Sequence, residues 1–443
     1  MRPAFRRSPS WPRPARESPK EPHMTNPVES PDTGAAGSGK GKTILLCTGI
    51  QYANIGDVGH VTGILTLLER FLPEAKIILW TAIDVTEYND LIRRYWPRVR
   101  VVHSRLDGDG DDTFEPTNKE VFAAVEEADF VIGGHGGSMG QIMRWIAQRY
   151  DIPYGIVGVT VSAPPTGASK DFVDGASFFY TRDTQSLENL RRSGARCKTM
   201  EFAPDATFGS AIIDDATAET FLHEQGLTAG NFICVVPRLR VTPYYRIEPR
   251  FRSDPAPWSD ERRREVDTLN DAHKEEDHAK ARAAMITWVR ETGKDVLLCP
   301  EMIHNMDLFD ELLYEPLPAD VKPKVKKRER FWVTDEAAAV YKKAFAVISF
   351  ECHSPIISSV QGTPAFYLRQ PEDTIKGQMW YDFGLSDWVF EIEQSTGDQI
   401  SDRLMSIVAD PGGAKTYLNA AMDKVARLQA RMMKNIGDEV NSV

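Results

Sequence analysis

The feature that most constrains the fold is a repeated unit. A short apolar run of β-branched and aliphatic residues ends in a polar turn, and the turn opens an amphipathic stretch. Its sharpest instance is Val347-Ile-Ser-Phe-Glu351-Cys-His353-Ser-Pro-Ile-Ile-Ser-Ser-Val-Gln-Gly362-Thr-Pro364. This reads as strand, loop, helix and a further strand, with Glu351 and His353 at the carboxyl end of the first strand. Continuous apolar strands alternating with helices predict parallel sheets covered on both faces. Such sheets bind ligands beyond the carboxyl ends of their strands. A histidine there can transfer protons near neutral pH.

The unit recurs in two halves. The first has strand-like runs at 43–48, 76–81, 98–103, 129–133, 154–160 and 178–181; the second has them at 232–237, 295–300, 346–350 and 364–368. A chain of 443 residues is long for one core, so two domains are expected. The expected division is a tail over 1–40, a Rossmann-like domain over 41–215, and a second over 216–443 ending in a helix near 414–436. The charged, proline-containing stretch 239–275 reads as an inserted loop, with a helix following over about 276–292.

The formal charge of −11 is uneven, because residues 1–42 carry +4 and the remainder −15. An acidic body argues against nucleic acid as the main partner. The tail is rich in Pro, Arg, Ser and Gly, which predicts disorder. Arg6-Arg7 lacks a following apolar segment, so no export signal is read there, and Met24 is an alternative start. No apolar run approaches a membrane span, and a cytoplasmic location is expected. The five cysteines form no CxxC pair, consistent with buried free thiols.

Several segments carry candidate chemistry. Asn54-Ile-Gly-Asp57 joins the first strand to the first helix. Asp57 reads equally as a helix cap and as a ligand contact beside free backbone N–H groups. His60, one turn on, reads as packing. Gly133-Gly-His-Gly-Gly at a strand end lets a ligand approach the backbone, which marks Gly134, His135 and Gly136. It is not a dinucleotide fingerprint. Arg182-Asp183 reads as an anion contact or a structural pair. Asp205 reads as a cap or a site carboxylate. Arg238 and Arg240 follow a strand, and arginine grips carboxylate and phosphate bidentately. His304 stands at a sheet edge, whereas His273 and His278 fall in a charged helix and read as solvated. No HExxH, cysteine cluster, Walker or G-x-S-x-G pattern occurs, so neither metal nor cofactor is expected.

Taken together and in order, these residues resemble the polysaccharide pyruvyl transferase family. The likeness covers about 43–410. It rests on Asn54-Ile-Gly-Asp57, the 133–137 loop, Tyr180-Thr-Arg182-Asp183, Ala203-Pro-Asp205, His353 with Gly362-Thr-Pro364, and Lys376 before Phe383-Gly-Leu385. The resemblance implies two Rossmann-like domains facing a cleft, as in GT-B glycosyltransferases. It implies transfer of the pyruvyl group of phosphoenolpyruvate to a sugar hydroxyl of a surface polysaccharide or its precursor. It makes His353 the catalytic acid and places Arg238, Arg240, Glu351 and Lys376 at the donor. Asn54, Asp57 and the glycine loop then fall to a carbohydrate acceptor. Glu351 stands where the family usually has arginine, and a carboxylate there would repel an anionic donor by about 1–4 kcal/mol. Glu351 suits the hydroxyls of a nucleotide sugar better, so a GT-B glycosyltransferase is one alternative. A non-catalytic carbohydrate-binding protein is the other.

Overall fold

The computed structural model describes residues 41–107, 115–134, 137–252 and 256–443. The expected tail lies outside them, as do residues 108–114 and His135 and Gly136.

Two all-parallel sheets form the framework. The first runs, edge to edge, Arg100–His103, Lys76–Thr81, Thr43–Cys47, Phe130–Gly133, Tyr154–Val159, Phe178–Thr181 and Thr199–Phe202. The second runs Val325–Lys327, Asp295–Leu298, Phe232–Val236, Ala346–Ser349, Ala365–Arg369 and Val389–Glu391. In each, the earliest strand is central and the chain winds first to one side, then to the other. That is the Rossmann order, whose direction reverses beside the central strand and leaves a crevice at the strands' carboxyl ends. The central strands are apolar throughout because helices cover both faces; Ile44 to Cys47 and Phe232 to Val236 are wholly buried.

The first helix, Ile55–Phe71, explains how the two halves meet. Asn54 caps it by accepting from the Gly56 N–H at 2.6 Å. Gly56, Gly59 and Gly63 then recur at helical spacing and form one flat face. A methyl at Gly63 would sit 1.8 Å from the Ala206 carbonyl, and one at Gly59 would sit 2.8 Å from the Thr207 side chain. The helix therefore lies directly on Asp205–Ser210, and its N-terminus projects into the second domain. There Ile55 N–H donates to the Glu301 carbonyl at 3.0 Å, Ile303 N–H to the Ala53 carbonyl at 2.9 Å, and the Thr334 hydroxyl to the Ile55 carbonyl at 2.8 Å.

Two elements differ from expectation. The stretch read as an inserted loop up to 275 is largely helix, since one helix spans Asp260–Thr292, opened by Ser259 and closed by left-handed Gly293. Its first half has no apolar stripe, and its buried contacts are polar. Asn270 exchanges two hydrogen bonds with the Val241 backbone, at 2.8 and 3.0 Å, and Asp277 pairs with Arg240. His278 on this helix is fully buried rather than solvated, and burial pushes its ring down to about 4. The C-terminal helix, Pro411–Asn441, also reaches further than expected. Leu418, Ala421 and Val425 lie in the second domain's core, whereas Met432, Met433, Ile436 and Val440 complete the first domain's core.

Candidate active site

His353 opens the helix His353–Val360 at the carboxyl end of Ala346–Ser349. Glu301, which follows Asp295–Leu298, reaches the same point. Its carboxylate accepts from His353 N–H at 3.3 Å and Ser354 N–H at 2.5 Å, and it lies 3.1 Å from His353 Nδ1. One buried carboxylate thus satisfies the helix start and fixes the ring through Nδ1, which makes Nε2 the nitrogen suited to proton transfer. Burial acts against the imidazolium. The adjacent Cys352 sulfur and Glu301 outweigh it and hold His353 well above its ordinary range.

Beside this pair lies a cluster of charge. Arg238 Nε is 3.4 Å from Glu351, and its Nη1 bonds Asp373. Lys376 Nζ lies 3.6 Å from Asp373. The expected Glu351 repulsion is therefore met internally by Arg238. Burial pushes Glu351 up to about 7; Arg238 opposes the shift, Glu301 adds to it, and Lys376 opposes it. Between Asp373 and Lys376, Thr374 has φ 58° and ψ −159°, a conformation that costs a non-glycine residue about 1–3 kcal/mol and clusters at ligand sites. Arg240 is committed elsewhere. It grips Asp277 bidentately at 2.9 and 3.0 Å and Glu393 at 2.7 Å.

Among the described residues, the first domain contributes through its first helix. A methyl at Gly56 would lie 2.2 Å from His353 Cγ and Nδ1, so this glycine serves close approach and not a tight turn. The His60 and His353 rings meet edge to face at 5.5 Å. His60 Nε2 is 3.2 Å from Asp205, which also pairs with Arg182 at 2.9 Å and accepts from the Thr207 N–H at 2.9 Å. Burial alone would raise the Asp205 carboxyl, but His60, Arg182 and His353 hold it well below its usual range. The helix cap is Asn54, and not Asp57. Asp57 is buried and accepts from Gln51 Nε2 at 2.5 Å. Gly134 donates its N–H to the Cys47 carbonyl at 3.0 Å and sits against Thr48.

His353, Glu351, Arg238 and Lys376 are thus brought together, with Gly56, His60 and Asp205 on the facing side. The sequence reading missed Glu301 and assigned His60 to packing. The position of Pro300-Glu301 directly behind a strand was the available signal for Glu301. Two groups of buried side chains each bring their ligand atoms within 4.8 Å of one another: His60, Asp205 and His353 in one, Glu301, Cys352 and His353 in the other. A cation at the first would compete with Arg182 for Asp205.

The architecture is that of the GT-B class: two Rossmann-like domains facing a cleft, with the C-terminal helix crossing between them. The fold comparison agrees. A protein from Anabaena, Alr3699/HepE in complex with UDP and glucose, superposes with a TM-score of 0.53 at 9% identity, covering 91% of this chain and all of that one (100%). UDP-GlcNAc 2-epimerase from Neisseria meningitidis bound to UDP-GlcNAc gives 0.53 at 8% identity, over 89% and 99% of the two chains. A ugt transferase from Siraitia grosvenorii in complex with UDP gives 0.50 at 9%, over 90% and 100%. Among curated protein sequences none matches this chain. Residues 54–370 match the profile of the polysaccharide pyruvyl transferases, and the chain belongs to that family.

Proposed function

We propose that the protein transfers the pyruvyl group of phosphoenolpyruvate to a carbohydrate, with His353 as the proton donor. The observation that carries the reading is the buried Glu301–His353 pair, set beside Arg238 and Lys376 at the strand ends of a cleft. In ketal formation two sugar hydroxyls add to C2 of the donor. One of their protons is balanced by protonation of the methylene carbon to a methyl group, the other leaves with inorganic phosphate. A histidine kept protonated above its usual range is suited to the first of these transfers. Lys376 and the Arg238 edge supply positive charge for the donor's carboxylate and phosphate. Asn54, Asp57 and the 134–136 loop would contact the acceptor from the other domain.

The carboxylate of Glu351 favours a second reading, a nucleotide-sugar donor, because carboxylates accept hydrogen bonds from ribose or sugar hydroxyls. Several solved proteins of like fold carry UDP. The test is phosphate release from phosphoenolpyruvate in the presence of glycoside acceptors. Wild type should release phosphate, and His353→Asn should lose about 10²–10⁴-fold. Turnover of a UDP-sugar without phosphoenolpyruvate turnover would move the assignment to glycosyl transfer. Turnover of neither, with glycan binding retained, would leave a binding protein.

A further inference from the structure

Next to the Arg238–Glu351 pair, the described residues leave a set of buried polar atoms without hydrogen-bond partners. Among them are Gln51 Oε1, Glu351 Oε1 and both ring nitrogens of His304; Arg238 Nε, 3.4 Å from Glu351, also makes no hydrogen bond. The first three side chains are at least nine-tenths buried, with exposures of 5%, 3% and 5%. Orphaned buried groups are rare, and each costs about 1–3 kcal/mol unless something supplies its partner.

Backbone contact across the cleft draws the three side chains toward one region: Ile303, next to His304, donates its N–H at 2.9 Å to the carbonyl of Ala53, two residues after Gln51. Gln51, from the first domain, donates to the Tyr244 hydroxyl at 3.2 Å. Tyr244 lies within electrostatic reach of Asp57, Glu351 and Lys376. Glu351 pairs with Arg238, and Arg238 in turn lies within electrostatic reach of His304. What these atoms lack is informative. Gln51 Oε1 only accepts, and so does Glu351 Oε1 when it is ionised. Burial, then Arg238 and Arg246, push the His304 ring down to about 3. It is therefore neutral and offers one donor and one acceptor. The missing partner must present several O–H donors and also accept. Phosphoenolpyruvate, ionised at neutral pH, has only acceptors. A sugar diol has both.

We infer that Gln51, His304 and Glu351 form a subsite that reads the hydroxyls of a neutral sugar, adjoining but distinct from the cationic Arg238–Lys376 edge. This deepens the proposed reading and rests on it in one respect only, namely that the sugar is the acceptor. It reassigns Glu351 from the donor to the sugar. It also gives the glutamate a purpose where an arginine is expected.

The experiment measures binding of methyl glycosides of glucose, galactose and N-acetylmannosamine, and separately of phosphoenolpyruvate, to the full chain by ligand-detected NMR and calorimetry. His304→Phe keeps the ring and removes its nitrogens. Gln51→Met keeps the shape and serves if His304→Phe fails to fold. Each variant should weaken the best glycoside about tenfold or more, while phosphoenolpyruvate affinity stays within about threefold. Unchanged glycoside affinity in a folded variant would overturn the inference. So would equal loss of phosphoenolpyruvate binding, or the absence of glycoside binding by wild type. The two readings fail separately. Glycoside binding that responds to these variants without any pyruvyl transfer would sink the proposed reaction and leave the subsite standing. Pyruvyl transfer with variant-insensitive glycoside affinity would do the reverse.

Discussion

Gly56→Ala tests whether the first domain truly seats the histidine. The added methyl would lie 2.2 Å from the His353 ring, where ordinary contact begins at 3.4 Å. The ring or the helix must therefore retreat by about 1.2 Å. Two stability terms oppose each other: alanine in a helix gains about 0.5–1 kcal/mol over glycine, and overpacking costs about 1–3 kcal/mol. The net loss should be small, a melting shift of a few degrees at most. Catalysis is far less tolerant, since misplacement of a reacting group by about 1 Å costs on the order of 10²-fold. The retreat also strains the 3.1 Å contact to Glu301, which should lower the His353 pKa. The assay is phosphate release against pH, with melting measured in parallel. Gly59→Ala is the matched control, because its methyl would meet Thr207 at 2.8 Å and no part of His353. It should cost comparable stability and much less activity. Full activity and an unmoved pH profile in Gly56→Ala would refute the seating argument. Equal activity losses in both variants would show a general packing defect.

Glu301→Gln removes a carboxylate that raises His353, so the alkaline limb of the pH–rate profile should move to lower pH; an unmoved limb would mean that Glu301 only caps the helix. Asp205→Asn leaves Arg182 buried without its charge partner, and urea unfolding should show a loss of about 3–5 kcal/mol. Glu351 titrates near 7 in the fold, above its unfolded value. Its favourable contribution is present below the unfolded pKa and is lost as pH rises through 7. Glu351→Gln should therefore stabilise the chain by about 1–3 kcal/mol at pH 8 relative to wild type and have little effect at pH 4. All five cysteines are buried and free, so a thiol reagent should react slowly with native protein and with five equivalents after unfolding.

The alternating strands and helices were readable because the parallel strands are buried on both faces and so are apolar without interruption. The 347–364 unit matches its reading almost residue for residue: strand Ala346–Ser349, helix His353–Val360, left-handed Gly362, strand Ala365–Arg369. The first half of the helix Asp260–Thr292 was not readable, because its buried side is polar: Asn270, and then Asp277 and His278 just past its middle. These residues signal solvent unless their partners are known, and the partners Arg240 and Val241 lie some thirty residues earlier. The same reason hid His60 and Glu301. Each is explained only by a residue from a distant strand or from the other domain. Arg240 illustrates the converse. A strand-end arginine invites an anion, and here three oxygens of Asp277 and Glu393 take its guanidinium.

The path of the C-terminal helix has a consequence for how the chain is made. Met432, Met433, Ile436 and Val440 fill the core of the domain whose sheet ends at Phe202, and Asn435 donates to the Tyr180 hydroxyl at 3.0 Å. During synthesis the amino-terminal sheet emerges first, yet the face that this helix covers stays open until more than two hundred further residues have left the ribosome. The second domain has no such wait: its sheet is complete at Glu391, and its own part of the helix follows within about thirty residues. The order of birth and the order of completion are therefore reversed. Stalled chains ending before residue 430 should expose that unfinished core to protease, while their second sheet already resists it.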